Sequence, residues 1–203
     1  MEPPEQTPDQ RNAPAKAGRP APVERDFDMR IAADGRWYHE GGLIKRDGLV
    51  KLFASVLEVD KTGQHWLRTP VEFGRIEVED APFIIISVRA EGSGATRNLT
   101  LTDNLDRDHL LGPDRPLVFR PHPDTHSDAN SGDQSDIDTD TDSGDHSGDH
   151  SGAGDTRPYL QLDGGLLARL SRPAWYELAE MADDENAAGA PGLWSAGRFF
   201  VLV

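Results

Sequence analysis

Arginine and aromatic side chains recur around two similar stretches of this 203-residue chain, and this combination suits the binding of an anion. A guanidinium group donates paired hydrogen bonds to phosphate or carboxylate. An aromatic ring offers a surface on which a nucleotide base stacks. We predict a ligand site built from Trp37, Tyr38, Arg46, Arg68, Arg157, Tyr159, Arg172 and Trp194.

A structural role is the alternative for every member of this set. The arginines near the two stretches are Arg46, Arg68, Arg75, Arg157, Arg169 and Arg172. Each of them can instead pair with a carboxylate, and the available partners are Glu72, Glu77, Glu79 and Asp80. The aromatic rings can likewise belong to the core. The sequence leaves both interpretations open.

Catalytic motifs are weak in this chain. Ser195 is followed by Ala196 and Gly197, but Leu193 stands where a nucleophile elbow needs glycine. We therefore expect Ser195 to be a turn serine. The histidines His39, His65 and His109 have no spacing typical of a ligand set. We predict no catalytic residue, and a protein that is not an enzyme.

An aspartate-rich insert raises the question of a metal site. Residues 121–156 contain ten aspartates and no lysine or arginine. The alternation of aspartates over 136–142 is like the start of a calcium loop. However, Ser143 replaces the glycine at the sixth position, and Asp149 replaces the glutamate at the twelfth. We expect a disordered insert and no dedicated metal site, although weak binding of divalent cations is compatible with it.

Composition limits the partners. The net charge is −15, and the insert carries ten of the negative charges. An acidic chain binds nucleic acid polymers and anionic membranes poorly, so we expect neither partner. There is no cysteine, and the pairs Gly41-Gly42 and Gly164-Gly165 do not form a dinucleotide fingerprint, so we expect no cofactor. With no signal peptide or membrane span visible, a cytoplasmic location is expected.

Two repeated stretches must position these residues. The first contains Trp37-Tyr38, then Gly41-Gly42-Leu43-Ile44, then a helical run over 49–57 for which Asp47 is the expected cap. The second contains Tyr159-Leu160, then Gly164-Gly165-Leu166-Leu167, then a helix after the predicted N-cap Ser171. Compared with the first stretch, the second has one insertion of three residues. The pattern in each is strand, glycine turn, short strand and helix. A duplicated protein offers a cleft between its copies.

The predicted organisation has four parts. They are a disordered N-terminal tail over 1–26, a first α+β domain over 27–120, the disordered insert over 121–156, and a smaller α+β unit over 157–203 docked on the first. The first domain should contain one helix followed by mostly antiparallel strands, with a β-bulge at Gly74 where the apolar alternation changes face. The predicted fold class is α+β, internally duplicated, with one helix packed on each antiparallel sheet.

The chain also resembles a bacterial family, the domain of unknown function 1285. The resemblance lies in Thr69–Glu72, in Arg157–Leu160 and above all in Ile76-Glu77-Val78-Glu79-Asp80-Ala81-Pro82-Phe83. It implies a duplicated α+β architecture whose C-terminal half is like a pleckstrin-homology roll. It also implies a site for a small, nucleotide-like molecule at the domain interface and a role in signalling. It supplies no catalytic residues.

Three functional hypotheses follow. The first is a non-enzymatic cytoplasmic module that holds a small anionic, nucleotide-like ligand between its halves for signalling or regulation. The second is a protein–protein adaptor that binds a partner through a sheet edge or a helix face. The third is a hydrolase, which would require two carboxylates, or a histidine and a carboxylate, to converge in a deep pocket.

Overall fold

The computed structural model describes residues 21–121, 156–183 and 191–202, which form two sheets, a hairpin and two α-helices. The predicted N-terminal tail before residue 21 and the insert between residues 121 and 156 lie outside the described residues. The fold is α+β with two sheet-rich halves that resemble a duplication, as predicted. The sheets are mixed instead of antiparallel, because each contains at least one parallel strand pair. The likeness to a pleckstrin-homology roll stays a prediction.

The first sheet has seven strands in the order β4-β3-β2-β7-β6-β5, with β1 paired in parallel to β7. Its elements are β1 (Val23–Glu24), β2 (Met29–Ile31), β3 (Trp37–His39), β4 (Gly42–Leu43), α1 (Asp47–Ser55), β5 (Leu57–Val59), β6 (His65–Arg68) and β7 (Glu72–Val78). Since β1 is a paired strand, the ordered chain begins before residue 27, inside the stretch predicted as a tail.

The second sheet has six strands in the order β10-β9-β8-β13-β12-β11. Its elements are β8 (Phe83–Glu91), β9 (Asn98–Asp103), β10 (Asp108–Leu110), β11 (Leu117–Pro121), β12 (Thr156–Gln161), β13 (Leu167–Leu170) and α2 (Arg172–Glu180). The hairpin of β14 (Gly192–Ser195) and β15 (Arg198–Val201) completes this half.

The division between the sheets falls elsewhere than the sequence analysis placed it. Strands β8 to β11 belong to the second sheet, because β13 pairs in parallel with β8 and β12 pairs with β11. The two sheets therefore divide at residues 79–82 instead of at residue 120. The apolar run over 83–88 lies in β8, which pairs with β9 on one side and with β13, from beyond the insert, on the other. No local pattern reveals the second partner.

The repeat is visible as two antiparallel meanders, β2-β3-β4 and β11-β12-β13, each followed by a nine-residue helix. The first hairpin closes at the pair His39–Gly42 and the second at Gln161–Leu167. From Gly42 to Asp47, and from Leu167 to Arg172, the interval to the helix is the same. The three extra residues therefore lie in the second turn, and Trp37 is equivalent to Tyr159.

The helices begin as their sequences dictate, with one correction. Ser171 caps α2 by accepting a hydrogen bond from the Ala174 N–H at 3.3 Å, as predicted. The predicted cap Asp47 instead lies in the first turn of α1, and the N-cap residue Arg46 makes no side-chain cap bond. The buried face of α1 brings Phe53 into a stack on Trp37, with ring centroids 6.4 Å apart.

Gly74 was expected at a β-bulge, and this expectation is wrong. Strand β7 pairs with β6 in continuous register through Leu67–Gly74. A register shift occurs instead in the second sheet, between β8 and β9, at Ile85–Ser87. Gly74 is needed because the Arg25 carbonyl lies 2.1 Å from the position a Cβ would take. The apolar alternation changes face because Phe73 lies on the outer face of the sheet, where the Arg68 guanidinium lies 4.8 Å from its ring centroid.

One hydrophobic core joins the two halves. It includes Ile31, Trp37 and Ile76 from the first sheet together with Phe83 and Leu101 from the second. The halves therefore pack on each other, and the chain between residues 78 and 83 passes through their boundary.

Candidate anion site between the two sheets

A buried carboxylate lies in the connection between the two sheets. Asp80 follows β7, and its side chain is only 4% exposed. Its Oδ1 accepts a hydrogen bond of 2.6 Å from the Tyr159 hydroxyl. Its Oδ2 lies 2.8 Å from Nε of Arg169 and 4.0 Å from a terminal nitrogen of Arg157. All three partners come from the second copy of the repeat.

The strand geometry explains why these partners converge. Arg157 and Tyr159 are two positions apart on β12, so their side chains leave the same face. Arg169 is the register partner of Tyr159 on β13, and Arg120 is the register partner of Arg157 on β11. Four residues of one sheet face thus stand together, and three of them carry a positive charge.

One of these arginines reaches the first copy of the repeat. Arg169 donates a hydrogen bond of 2.9 Å to the backbone carbonyl of Ala33, in the turn between β2 and β3. An arginine therefore spans the boundary between the two copies.

A cleft of about 650 Å³ opens beside this cluster, and we call it the seam cleft. It is lined by Val59, Asp60, Lys61, Thr62, Gly63, His65, Val78, Asp80, Pro82, Arg120, Gly164, Gly165 and Leu167. Its walls are the β5–β6 turn of the first sheet, the connection between the sheets, and the glycine turn of the second copy. Its volume is in the range of small-molecule sites.

Asp60, in the β5–β6 turn, accepts hydrogen bonds from neighbouring residues of the same hairpin. Asp60 accepts hydrogen bonds from the Thr62 hydroxyl at 2.6 Å and from the Trp66 indole N–H at 2.9 Å, and also from backbone N–H groups of Thr62 and Gln64. The bonds from Thr62 and Trp66 hold the pKa of Asp60 far below its usual range. Lys61 is exposed beside it and adds a positive charge to the cleft.

Two further groups near the cleft are kept uncharged. Burial, followed by the bond to Asp80, raises the pKa of the Tyr159 hydroxyl, so the hydroxyl remains a donor. Burial lowers the pKa of His65 although Asp60 opposes the shift, which favours a neutral imidazole at neutral pH. The charged side chains that line the cleft are therefore Lys61 and Arg120 on the positive side and Asp60 and Asp80 on the negative side.

The structure brings together two of the eight residues predicted for the ligand site, Arg157 and Tyr159, at Asp80. Trp37 is buried beneath α1 at 2% exposure. Tyr38 lies on the outer face of the first sheet, with the Arg30 guanidinium 4.5 Å from its ring centroid.

The other four predicted residues lie apart from the seam cleft. Arg68 pairs with Glu58 at 2.9 Å on the outer face. Arg46 and Arg172 are exposed at the starts of α1 and α2. Trp194 packs edge-on against Phe199, with centroids 5.4 Å apart.

From the sequence, Arg169 was one of the arginines able to bind an anion, and Asp80 was a possible ion-pair partner, but neither was among the eight predicted site residues. Arg120 and Lys61 were not predicted. The available signal was the position of Asp80 in the most specific block of the family resemblance, between two strands. The pairing of Arg120 with Arg157 depends on two strands separated by the insert, so it carried no local signal.

A histidine–carboxylate pair is present elsewhere, at the β9–β10 turn. Asp103 is fully buried, and its Oδ2 lies 2.9 Å from Nε2 of His109 and 2.8 Å from Nε of Arg107. Its Oδ1 accepts the backbone N–H groups of Leu105 and Arg107. Burial alone would raise the pKa of Asp103, but these bonds outweigh it and lower the pKa to about 2. The hydrogen bonds of the Asp103 carboxylate thus stabilise the β9–β10 turn.

Ser195 is also bound to the backbone. Its hydroxyl accepts a hydrogen bond of 2.9 Å from the Leu99 N–H and donates one of 2.6 Å to the Leu111 carbonyl. The side chain is fully buried. These contacts tie β14 to the second sheet.

Two features are absent from the described residues. No group of three or more histidine, aspartate or glutamate side chains converges there in a way that would hold a metal ion. In the same part of the chain, no helix has the length and apolar character needed to cross a bilayer.

The fold and the site define an internally duplicated α+β protein with an arginine-bearing cleft at the boundary of its halves. The family model "Domain of unknown function (DUF1285), N-terminal domain" matches residues 14–81, and "Protein of unknown function (DUF1285), C-terminal domain" matches residues 127–202. The chain belongs to the DUF1285 family. The first match ends in the connection that carries Asp80, where the two sheets divide.

Two solved structures are similar to this chain. A DUF1285 family protein from Silicibacter pomeroyi DSS-3 is 32% identical, with a TM-score of 0.68 over 89% of this chain and 82% of that chain. A DUF1285 family protein from Shewanella baltica OS155 is 22% identical, with a TM-score of 0.51 over 76% of this chain and 92% of that chain, and it supports the fold alone. A comparison with curated proteins gave no match.

Proposed function

We propose that this protein is a non-enzymatic cytoplasmic module that binds a small anion, of the size and charge of a mononucleotide, in the seam cleft. The observation that carries the proposal is the group of cations at a cleft of about 650 Å³: Arg157 and Arg169 approach the Asp80 carboxylate, and Arg120 and Lys61 line the cleft. The signalling or regulatory role is the part that rests on the family resemblance.

The arginines differ in how firmly they are held. Arg169 is bound at both ends, to Asp80 and to the Ala33 carbonyl, so its role is to join the halves. Arg157 is one-third exposed and lies 4.0 Å from Asp80, which leaves its guanidinium free to turn toward a ligand. Such a group forks onto phosphate or carboxylate with paired hydrogen bonds.

The glycine turn of the second copy suits the approach of an anion. Gly164 and Gly165 have φ values of 72° and 86°, in the left-handed region that glycine occupies without strain. A Cβ at Gly164 would meet nothing within 4 Å, and both glycines line the seam cleft. Backbone N–H groups in such turns are common anion partners.

The aromatic platform of the sequence hypothesis has no counterpart in the seam cleft. Trp37, Tyr38 and Trp194 do not line it, and Tyr159 is buried with its hydroxyl on Asp80. The proposal therefore rests on recognition of the ligand's negative charge. The uncharged part of the ligand would contact the polar turn over 60–63, which lines the cleft.

Isothermal titration with mononucleotides and inorganic pyrophosphate tests the proposal. We expect saturable binding that weakens about tenfold or more in Arg157→Ala, equivalent to about 1.4 kcal/mol. Arg172→Ala is the matched control, because Arg157 approaches Asp80 whereas Arg172 is exposed at the start of α2 and forms no ion pair with Asp80. The proposal would be overturned if millimolar ligand gives no binding heat and does not raise the melting temperature of the protein.

An adaptor role is the second candidate, and the outer face of the first sheet favours it. Three arginine–aromatic pairs lie on this face: Arg30 on Tyr38, Arg75 on Trp66 and Arg68 on Phe73, each within 5.2 Å. Arginine and aromatic residues dominate binding energy at protein interfaces. A pull-down that recovers one stoichiometric partner, lost in Arg75→Glu and kept in Arg157→Ala, would favour this role over the ligand site.

A further inference from the structure

A second cavity lies in the first copy of the repeat, and we call it the indole cavity. It has a volume of about 370 Å³ and shares no lining residue with the seam cleft. Its walls are the first turns of α1, which contribute Asp47 and Lys51, the β3–β4 hairpin with Trp37, and the β9–β10 turn with Asn104 and Asp106. The cavity therefore lies where the first copy meets the second sheet.

Trp37 lines this cavity, and its indole carries an unsatisfied hydrogen-bond donor that is buried in the wall. Its side chain is 2% exposed, and the indole N–H is buried with no acceptor among the described residues. Buried donors in proteins nearly always have an acceptor, because without one the group loses the hydrogen bond that it made to water. This exception requires an explanation.

The internal repeat supplies one. Tyr159 is the equivalent of Trp37, since each stands two positions before the last pair of its hairpin. The Tyr159 hydroxyl donates to the Asp80 carboxylate at 2.6 Å. In the second copy the aromatic donor thus meets a carboxylate from the chain itself, and in the first copy the corresponding acceptor is absent from the described residues.

The other polar groups of the cavity include further donors. The N-terminus of α1 has no side-chain cap, which leaves N–H groups of its first turn for other acceptors. Lys51 lies one turn later, and its ammonium pairs with Asp106 at 2.9 Å across the two walls. This pair is exposed on both sides, and exposed pairs exchange partners at little cost. Asp47 and Asp106 are the carboxylates present, and Asp106 is the one that a ligand would replace.

Apolar side chains complete the cavity and define the rest of the ligand. They are Leu43, Ile44, Val50 and Leu105. An inorganic anion makes no use of these walls, whereas a short organic acid buries its carbon chain against them.

We propose that the indole cavity binds a small organic monocarboxylate, whose carboxylate accepts from the Trp37 indole N–H and from Lys51 in place of Asp106. The carbon chain packs against the apolar wall between α1 and the β9–β10 turn. The first copy thereby obtains from a ligand the carboxylate that the second copy obtains from Asp80.

A titration followed by the indole N–H resonances tests this assignment, with acetate, butyrate, hexanoate and inorganic phosphate as probes. We expect hexanoate to shift the Trp37 resonance in a saturable way, with affinity increasing along the carboxylate series. The Trp66 indole is the internal control, because its N–H already donates to Asp60 at 2.9 Å and should not move. Trp37→Phe identifies the resonance.

Lys51→Met separates binding from folding, because Lys51 is exposed on α1 and its loss leaves the core intact. We expect this variant to weaken hexanoate at least about tenfold while its Trp37 resonance stays at the same unligated position. The proposal would be overturned if no carboxylate at up to about 10 mM shifts the Trp37 resonance. It would also be overturned if the Trp37 indole N–H contacts only a bound water. Equal responses to phosphate and hexanoate would overturn the assignment to an organic acid.

Discussion

The hydroxyl of Tyr159 donates a 2.6 Å hydrogen bond to Oδ1 of Asp80, and this contact attaches the second copy of the repeat to the connection between the sheets. The same carboxylate is held by Arg169, which also bonds to the Ala33 carbonyl in the first copy. Asp80 is thus the point at which both copies and both sheets meet, and it orders the wall of the seam cleft.

Removing the Tyr159 hydroxyl should destabilise this junction. Tyr159→Phe leaves Oδ1 of a buried carboxylate without its donor, so we expect the free energy of unfolding to fall by about 1–3 kcal/mol. Urea denaturation measures the change. Tyr176→Phe is the control, since Tyr176 is 62% exposed. Equal losses in both variants would contradict a specific role for the Tyr159–Asp80 bond.

The carboxylate of Asp103 should make stability depend on pH. Its pKa is lowered from 3.8 to about 2 in the folded protein, so its contribution is present above the unfolded pKa and is lost as the pH falls through the folded pKa. At pH 7 we expect the free energy of unfolding of the wild type to be higher than that of Asp103→Asn by on the order of 2 kcal/mol. This difference should shrink between about pH 5 and pH 2.

Denaturant titrations of both proteins at several pH values measure that difference. Asp114→Asn is the control, because Asp114 is exposed and lies outside the β9–β10 turn. A difference that stays constant from pH 7 to pH 2 would show that the charge on Asp103 does not matter to folding.

Gly74 should tolerate no side chain. A Cβ there would lie 2.1 Å from the Arg25 carbonyl and 2.7 Å from the Phe27 ring, so Gly74→Ala must push the segment after β1 away from β7. We expect a loss of about 1–3 kcal/mol, measured by thermal or urea unfolding. Gly48→Ala in α1 meets nothing within 4 Å and should be neutral or stabilising. A neutral Gly74→Ala would contradict the close approach.

Ser195 should behave as a structural residue. Ser195→Ala leaves the buried Leu99 N–H and Leu111 carbonyl without their partner, so we expect a loss of about 2 kcal/mol. Chemical denaturation of Ser195→Ala beside Ser93→Ala, which changes an exposed residue, measures it. Unchanged stability of Ser195→Ala would show that these two bonds contribute nothing.

Local patterns predicted the repeat and its elements well. The glycine turns, the helix periodicity and the Ser171 cap are encoded within a few residues, and the structure has them. The pairing of β8 with β13 was not predicted, because it joins segments separated by the whole insert and depends on tertiary contact. For the same reason Gly74 was attributed to a bulge, when the cause is the close approach of the Arg25 carbonyl, from the segment after β1.

The site was predicted only in part, and the reason is similar. Arg157 and Tyr159 share a strand, so their common face follows from alternation. Their convergence on Asp80, with Arg120 alongside, requires three strands and a connection to assemble. Trp37 was predicted from its place in the repeat, but its unsatisfied N–H is a property of the packed core that no sequence pattern reports.

The most direct measurement of the central claim is a titration of the isotope-labelled protein with 5′-AMP, followed by amide and guanidinium resonances. The account predicts saturable shifts at Gly63, Gly164 and Gly165, together with the Nε–H of Arg157, all at one apparent affinity. Absence of shifts at these groups at up to about 10 mM ligand, or shifts confined to Tyr38 and Arg75 on the outer face, would contradict it.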